Sequence, residues 1–109
     1  MPFDWSIKIE GAPGAAARFV PQGGQAGDPL NAKASDTVSW GNDTQETHQP
    51  WPTDSNYTPL PAPPTPNLSN PIFQQQSSSP TWIVNGSGTV YYRCKTHPDR
   101  PELGRIVIT

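Results

Sequence analysis

Fifteen prolines in 109 residues constrain this chain more than any other feature of its sequence. Proline lacks an amide donor, and Pro and Gly are the worst residues for a helix interior. Nine glycines add to the effect, so short strands joined by long turns are expected and long helices are not. Disorder is the competing outcome, because apolar residues make up only 32% and charged residues 15%. Four Trp, three Tyr and three Phe argue against disorder by supplying the bulk of a core. The length fits a single domain, 1–109.

Charge and hydropathy exclude several classes of function. The net charge is −2 and no basic stripe is present, so nucleic acid is not an expected partner. No apolar run approaches the roughly 18 residues needed to span a membrane. The start, Met1-Pro2-Phe3-Asp4-Trp5, lacks the basic and apolar segments of a signal peptide. A cytoplasmic protein and a mature exported domain given a new initiator Met would both look like this.

Alternation marks the strands. Trp5, Ile7 and Ile9 share one face of Trp5–Glu10, with Ser6, Lys8 and Glu10 on the other. Further strands are expected at 17–20, 30–33, 37–40, 82–84, 89–94 and 103–109, with turns at 11–14, 35–36, 41–43 and 85–88. Between Pro50 and Pro71 eight residues are proline. Proline cannot sit in a central strand, so this stretch is expected to cross the domain surface as an irregular loop with polyproline pieces. About seven short strands with turn signals between them suggest a β-sandwich or barrel.

Chemistry concentrates at Cys94-Lys95-Thr96-His97, where the most β-prone strand enters a Pro-rich loop. Cys94 is the only cysteine, which rules out an intramolecular disulfide. It leaves three readings: core residue, reactive thiol or metal ligand. A thiolate with an imidazole suits zinc, copper or iron, but Cys-rich structural zinc sites need further cysteines. The only other histidine is His48, 46 positions before Cys94 and just beyond the strand ending at Trp40. Loops at one end of a sandwich converge, so His48 and His97 can meet. Two imidazoles and one thiolate form the trigonal set of blue-copper sites.

Several segments resemble the cupredoxin family of plastocyanin and azurin. Asp36-Thr37-Val38-Ser39-Trp40-Gly41-Asn42-Asp43 followed by His48 is similar to the family's strand, Asn and first His ligand. Val90 to His97 resembles its Cys strand and second His, Leu103 to Ile108 its closing strand, and Phe19-Val20-Pro21 its second strand. The family usually continues from the second His through four residues to an axial Met. Here that place is held by Glu102, and the only methionine is Met1. The set is similar to that of the red-copper relative nitrosocyanin, with two positions exchanged.

The resemblance implies an all-β, Greek-key sandwich of about seven to eight strands with a long Pro-rich loop. It also implies one copper ion, cycling between Cu(II) and Cu(I), held by His48, Cys94, His97 and axial Glu102. A carboxylate is a harder donor than a thioether, so Glu102 should favour Cu(II), lower the potential and shift the colour from blue towards green or red. A backbone carbonyl near Thr47 is the competing axial donor. Pro98 and Pro101 are expected to stiffen the ligand loop, and Asn42 to tie the His48 loop to the Cys94 loop. Gln49 stands where the family often has Asn.

By the same resemblance, Ala12, Pro13, Pro50, Trp51 and Pro98 are expected to form an apolar patch around His97 where a redox partner protein docks. Asp43, Glu46 and Asp99 are expected to be solvated. The implied protein is a non-enzymatic, monomeric electron carrier working in the periplasm or elsewhere outside the cytoplasm. The alternative is a copper enzyme or small-ligand sensor in which Glu102 swings off to open an exchangeable position. Copper storage fits poorly, because carriers of Cu(I) favour several soft ligands. A Cys–His hydrolase fits poorly too, because His97 is only three positions from Cys94 and no oxyanion motif is evident.

Overall fold

Period-two alternation dictates the inward faces of the first strands, and the chain uses it throughout. The computed structural model describes residues 2–12, 14–61, 77–78, 81–84, 86–97 and 99–109. Among them nine strands occur and no helix. They are β1 (Asp4–Glu10), β2 (Arg18–Pro21), β3 (Leu30–Ala32), β4 (Thr37–Asn42), β5 (Pro50–Thr53), β6 (Ser77–Ser78), β7 (Trp82–Ile83), β8 (Gly88–Cys94) and β9 (Leu103–Ile108).

The strands form two mixed sheets, the all-β sandwich expected from the sequence. One sheet runs β2-β1-β4-β6, with β7 also pairing β4; the other runs β3-β9-β8-β5. β1 and β4 are parallel, as are β3 and β9, and the remaining pairs are antiparallel. Ile7, Ile9, Phe19, Val38, Trp40 and Trp82 of the first sheet enter the same core cluster as Leu30, Ala32, Tyr92, Ile106 and Ile108 of the second. Each large aliphatic side chain buried this way contributes roughly 1.5–3 kcal/mol.

Tyr92 occupies the middle of this core. Its ring meets Phe19 at 4.8 Å and Trp40 at 5.4 Å, both edge to face. Gly104 lies under it: a Cβ at that position would sit 2.3 Å from the tyrosine Cζ. Only a residue without a side chain lets β9 pass this close to the ring.

One expectation needs correction. The crossing from Pro50 does not begin as an irregular surface loop, because Pro50–Thr53 is a strand with Pro50, Pro52 and Thr53 buried. It pairs antiparallel with β8, Pro50 opposite Cys94 and Pro52 opposite Tyr92. Pro50 and Pro52 share one parity, so their missing amides fall on the same edge. That edge faces away from β8, since the Pro52 carbonyl accepts the Leu60 amide there. Proline is tolerated in such a position because no ladder bond is lost. Residues 54–61 follow as turns, and residues 62–71 of the expected crossing lie outside the described residues.

The two ends of β4 differ. At its start, Asp36 accepts three bonds of 2.9 Å, from the Phe3 amide, the Trp5 indole and the Lys33 amide. At its end, Asn42 opens the loop that carries His48. β4 runs two residues beyond the expected boundary, because Gly41 and Asn42 continue the pairing with Lys8 and Ile9.

Candidate metal centre

Sheet register explains why a cysteine and a glutamate meet. Cys94 has the parity of Tyr92, and Glu102 the parity of Gly104, Ile106 and Ile108, so both face inward. Arg93 pairs with Leu103, and one step further the Cys94 amide donates to the Glu102 carbonyl at 3.0 Å. The β8–β9 loop supplies His97, and the loop after β4 supplies His48.

These four residues form one cluster, with a ligand atom from each lying within 4.8 Å of the others. The Cys94 Sγ is 3.5 Å from Nδ1 of His48 and 3.5 Å from Nδ1 of His97. Glu102 Oε1 is 3.0 Å from Nδ1 of His97 and 3.4 Å from Nδ1 of His48. Ligand bonds of about 2.0–2.3 Å place the donors of one ion roughly 3.5–4 Å apart. The set therefore fits a single cation. His48, Cys94 and Glu102 are fully buried, while the His97 side chain keeps 16% exposure. The centre thus reaches solvent through one imidazole edge.

The electrostatics favour charge on these groups. Burial pushes the Cys94 thiol up, but hydrogen bonds from His48, Thr96 and the Gln49 amide outweigh it and leave the thiol below its ordinary value. Burial likewise opposes ionisation of Glu102, yet His48 and the Ala17 amide bring it down to about 2. His48 is raised to about 9: burial disfavours its cation, and Cys94 and Glu102 more than compensate. When no metal competes, a proton on His48 balances the neighbouring anions, and a metal ion would take its place.

The presented nitrogen of His48 is fixed from behind. Its Nε2 lies 2.9 Å from the Thr44 hydroxyl. That hydroxyl has one proton, which goes to Asn42 Oδ1 at 2.7 Å or to the Glu46 carbonyl at 3.1 Å. It therefore accepts from His48 Nε2–H, which leaves Nδ1, facing the sulfur, as the nitrogen that holds the second proton in the metal-free site and that a metal ion would take over. Metal-binding histidines are commonly held this way through their second nitrogen.

Comparison with solved structures gives the architecture its name. No protein-family model matches the chain, and no curated protein matches its sequence. Its structure matches a Cu(I) form of an amicyanin mutant with a TM-score of 0.63, at 15% identity, over 100% of this chain and 85% of that one. Amicyanin from Paracoccus versutus gives 0.60 at 14% identity, over 95% and 79%. A novel purple cupredoxin from Nitrosopumilus maritimus gives 0.60 at 21% identity, over 74% and 77%. The chain has the cupredoxin fold.

Within this cupredoxin fold, several sequence expectations need adjustment. Asn42 also organises its own loop, through Thr44 and the Glu46 carbonyl. The His48 and Cys94 loops are joined by Thr96 Oγ1 donating to the Thr47 carbonyl at 3.0 Å. Lys95 N also donates to the Gln49 carbonyl, and Gln49 N to the Cys94 sulfur at 3.4 Å. The Thr47 carbonyl is thus already engaged as an acceptor. Pro50 is buried beside Cys94 and does not belong to a surface patch. Trp51 is half-buried, with Lys95 Nζ 3.6 Å from its ring centroid, and Ala12 is exposed. Pro13 and Pro98 lie outside the described residues. Asp43 and Asp99 are exposed as expected.

Sequence reasoning missed Thr44 and Arg100 and left Glu46 in solvent. Glu46 instead pairs with Arg100 at 2.8 Å beside His97. The one available signal was Thr44 itself, a hydroxyl residue four positions before a candidate ligand.

Proposed function

We propose that this chain is a mononuclear copper protein that carries electrons between redox partners, with the ion held by His48, Cys94, His97 and axial Glu102. The observation that carries the reading is the buried sulfur flanked at 3.5 Å by two Nδ1 atoms at one pole of a cupredoxin sandwich. Thiolate plus two imidazoles is the donor set of blue-copper centres. Copper bound there would supply a one-electron Cu(II)/Cu(I) couple. The protein's part is to hold the donors still. Cys94 ends β8 and Glu102 immediately precedes β9, Thr44 fixes the His48 ring, and three bonds join the two ligand loops. A scaffold that already enforces the ligand positions limits rearrangement between oxidation states. Burial of three ligands excludes water, and His97 gives the electron its route to the surface.

The redox partner would meet the protein at the exposed edge of His97. We place the protein outside the cytoplasm, as a monomeric, non-catalytic carrier. No helix among the described residues is long and apolar enough to cross a membrane.

The test is the visible spectrum after one equivalent of Cu(II) is added to the metal-free protein. An intense thiolate-to-copper band supports the reading, and its displacement towards green or red reports a strong Glu102 interaction. A colourless or pale solution with the Cys94 thiol still reduced sinks it.

A further inference from the structure

The two oxygens of Glu102 have different neighbours. Oε1 faces the imidazoles, whereas Oε2 accepts the Ala17 amide at 2.7 Å and lies 3.9 Å from Arg100 Nη1. The same Nη1 is 2.8 Å from Glu46 Oε1, and Glu46 Oε2 is 3.9 Å from His97 Nε2. Glu102, Arg100, Glu46 and His97 therefore close a ring of four side chains. Both nitrogens of His97 face a carboxylate, and one guanidinium joins the two carboxylates.

The ring is anchored on every side. The Arg100 carbonyl accepts from Arg93 Nη2 at 2.9 Å, and the Arg100 amide donates to the His97 carbonyl at 3.0 Å. Arg100 Nη1 also reaches the Ala15 carbonyl at 3.4 Å, and Glu46 accepts the Gly14 amide at 3.4 Å. The loop after β1 is thereby drawn over the centre.

A carboxylate free at both oxygens can chelate, or swing away and open a coordination position. Glu102 is held at Oε2, so it can do neither without breaking a buried bond. The nearby guanidinium also withdraws charge from it, and Glu46 competes for that guanidinium. We propose that the Ala17 amide makes Glu102 a one-oxygen ligand that stays in place and closes the centre to added small anions, and that Arg100 and Glu46 are positioning residues that tune its strength. This rests on the copper reading above.

The experiment compares copper-loaded wild type with Arg100→Gln and Glu46→Gln by visible spectrum, reduction potential and azide titration. Without Arg100, Glu102 donates more strongly: the band moves towards red and the potential falls, while azide leaves the spectra of wild type and variant unchanged. Without the Glu46 charge, Arg100 acts on Glu102 alone, so the band moves towards blue and the potential rises. Opposite shifts are the signature, because a merely loosened loop would move both variants the same way. Arg100→Lys, which keeps the charge but not the fork, falls between wild type and Arg100→Gln and serves if the latter does not fold. Shifts of the same sign in both variants, or an azide-dependent change in the wild-type spectrum, overturn the proposal. An uncoloured wild type would instead overturn the copper reading beneath it.

Discussion

Two buried carboxylates stand at opposite ends of the sandwich, and their surroundings differ. Asp36 gives both oxygens to N–H donors, with three bonds of 2.9 Å, and these bonds hold its carboxyl below the ordinary value. Glu102 gives only Oε2 to a backbone amide and turns Oε1 towards two imidazole nitrogens and a sulfur. A buried anion whose two oxygens are both engaged by N–H donors serves the fold. One whose neighbours are themselves lone-pair donors is held in place for a cation. Burial alone would not tell the two apart; the identity of the facing atoms does.

The sharpest way to break this contrast is to remove the sulfur. Cys94→Ser should lose the intense visible band completely while melting as a folded β-protein by circular dichroism. A retained band would place the thiolate elsewhere. Next comes the carboxylate pair. Glu102→Met should make the copper protein bluer and raise its potential. Asp36→Asn should lower the melting temperature and leave the spectrum unchanged. The reverse pattern would dissolve the distinction between the two poles. Thr44→Val removes the acceptor behind His48 and should weaken copper binding roughly 10- to 100-fold, measured by competition with a chelator. An unchanged affinity would mean that packing alone orients the ring.

The smallest expected effect is the pH profile of the metal-free protein. Glu102 falls from 4.5 to about 2 in the folded state, so its stabilisation is present above pH 4.5 and is lost as pH drops through about 2. His48 rises from 6.5 to about 9, so its stabilisation is complete below pH 6.5 and is lost as pH climbs through about 9. Thermal melts should therefore show a plateau from about pH 4.5 to 6.5, with a decline on the alkaline side that copper removes. A flat alkaline limb would mean that His48 is neutral at its site.

The ligand cluster was legible in the sequence because its residue types are scarce and phased. One cysteine and two histidines leave little choice, and Glu102 is in step with Ile106 and Ile108 on a strand whose inward face is apolar. The supporting ring was not legible. Glu46 and Arg100 are ordinary surface residue types, 54 positions apart, and only the paths of two loops bring them together. The Ala17 amide belongs to the backbone and leaves no trace in residue identity. β5 was missed for a different reason. Its prolines argue against a strand in general, but they are compatible with one whose proline positions face away from the neighbouring strand.

That placement of the prolines also bears on how the protein behaves in concentrated solution. With Pro50 and Pro52 on the flank of the second sheet, neither outward-facing position of β5 has an amide to offer, and the Pro52 carbonyl is taken by Leu60. An exposed strand edge is a template on which foreign chains can nucleate fibrils. Here the template is interrupted by covalent chemistry that no fluctuation of the fold can undo.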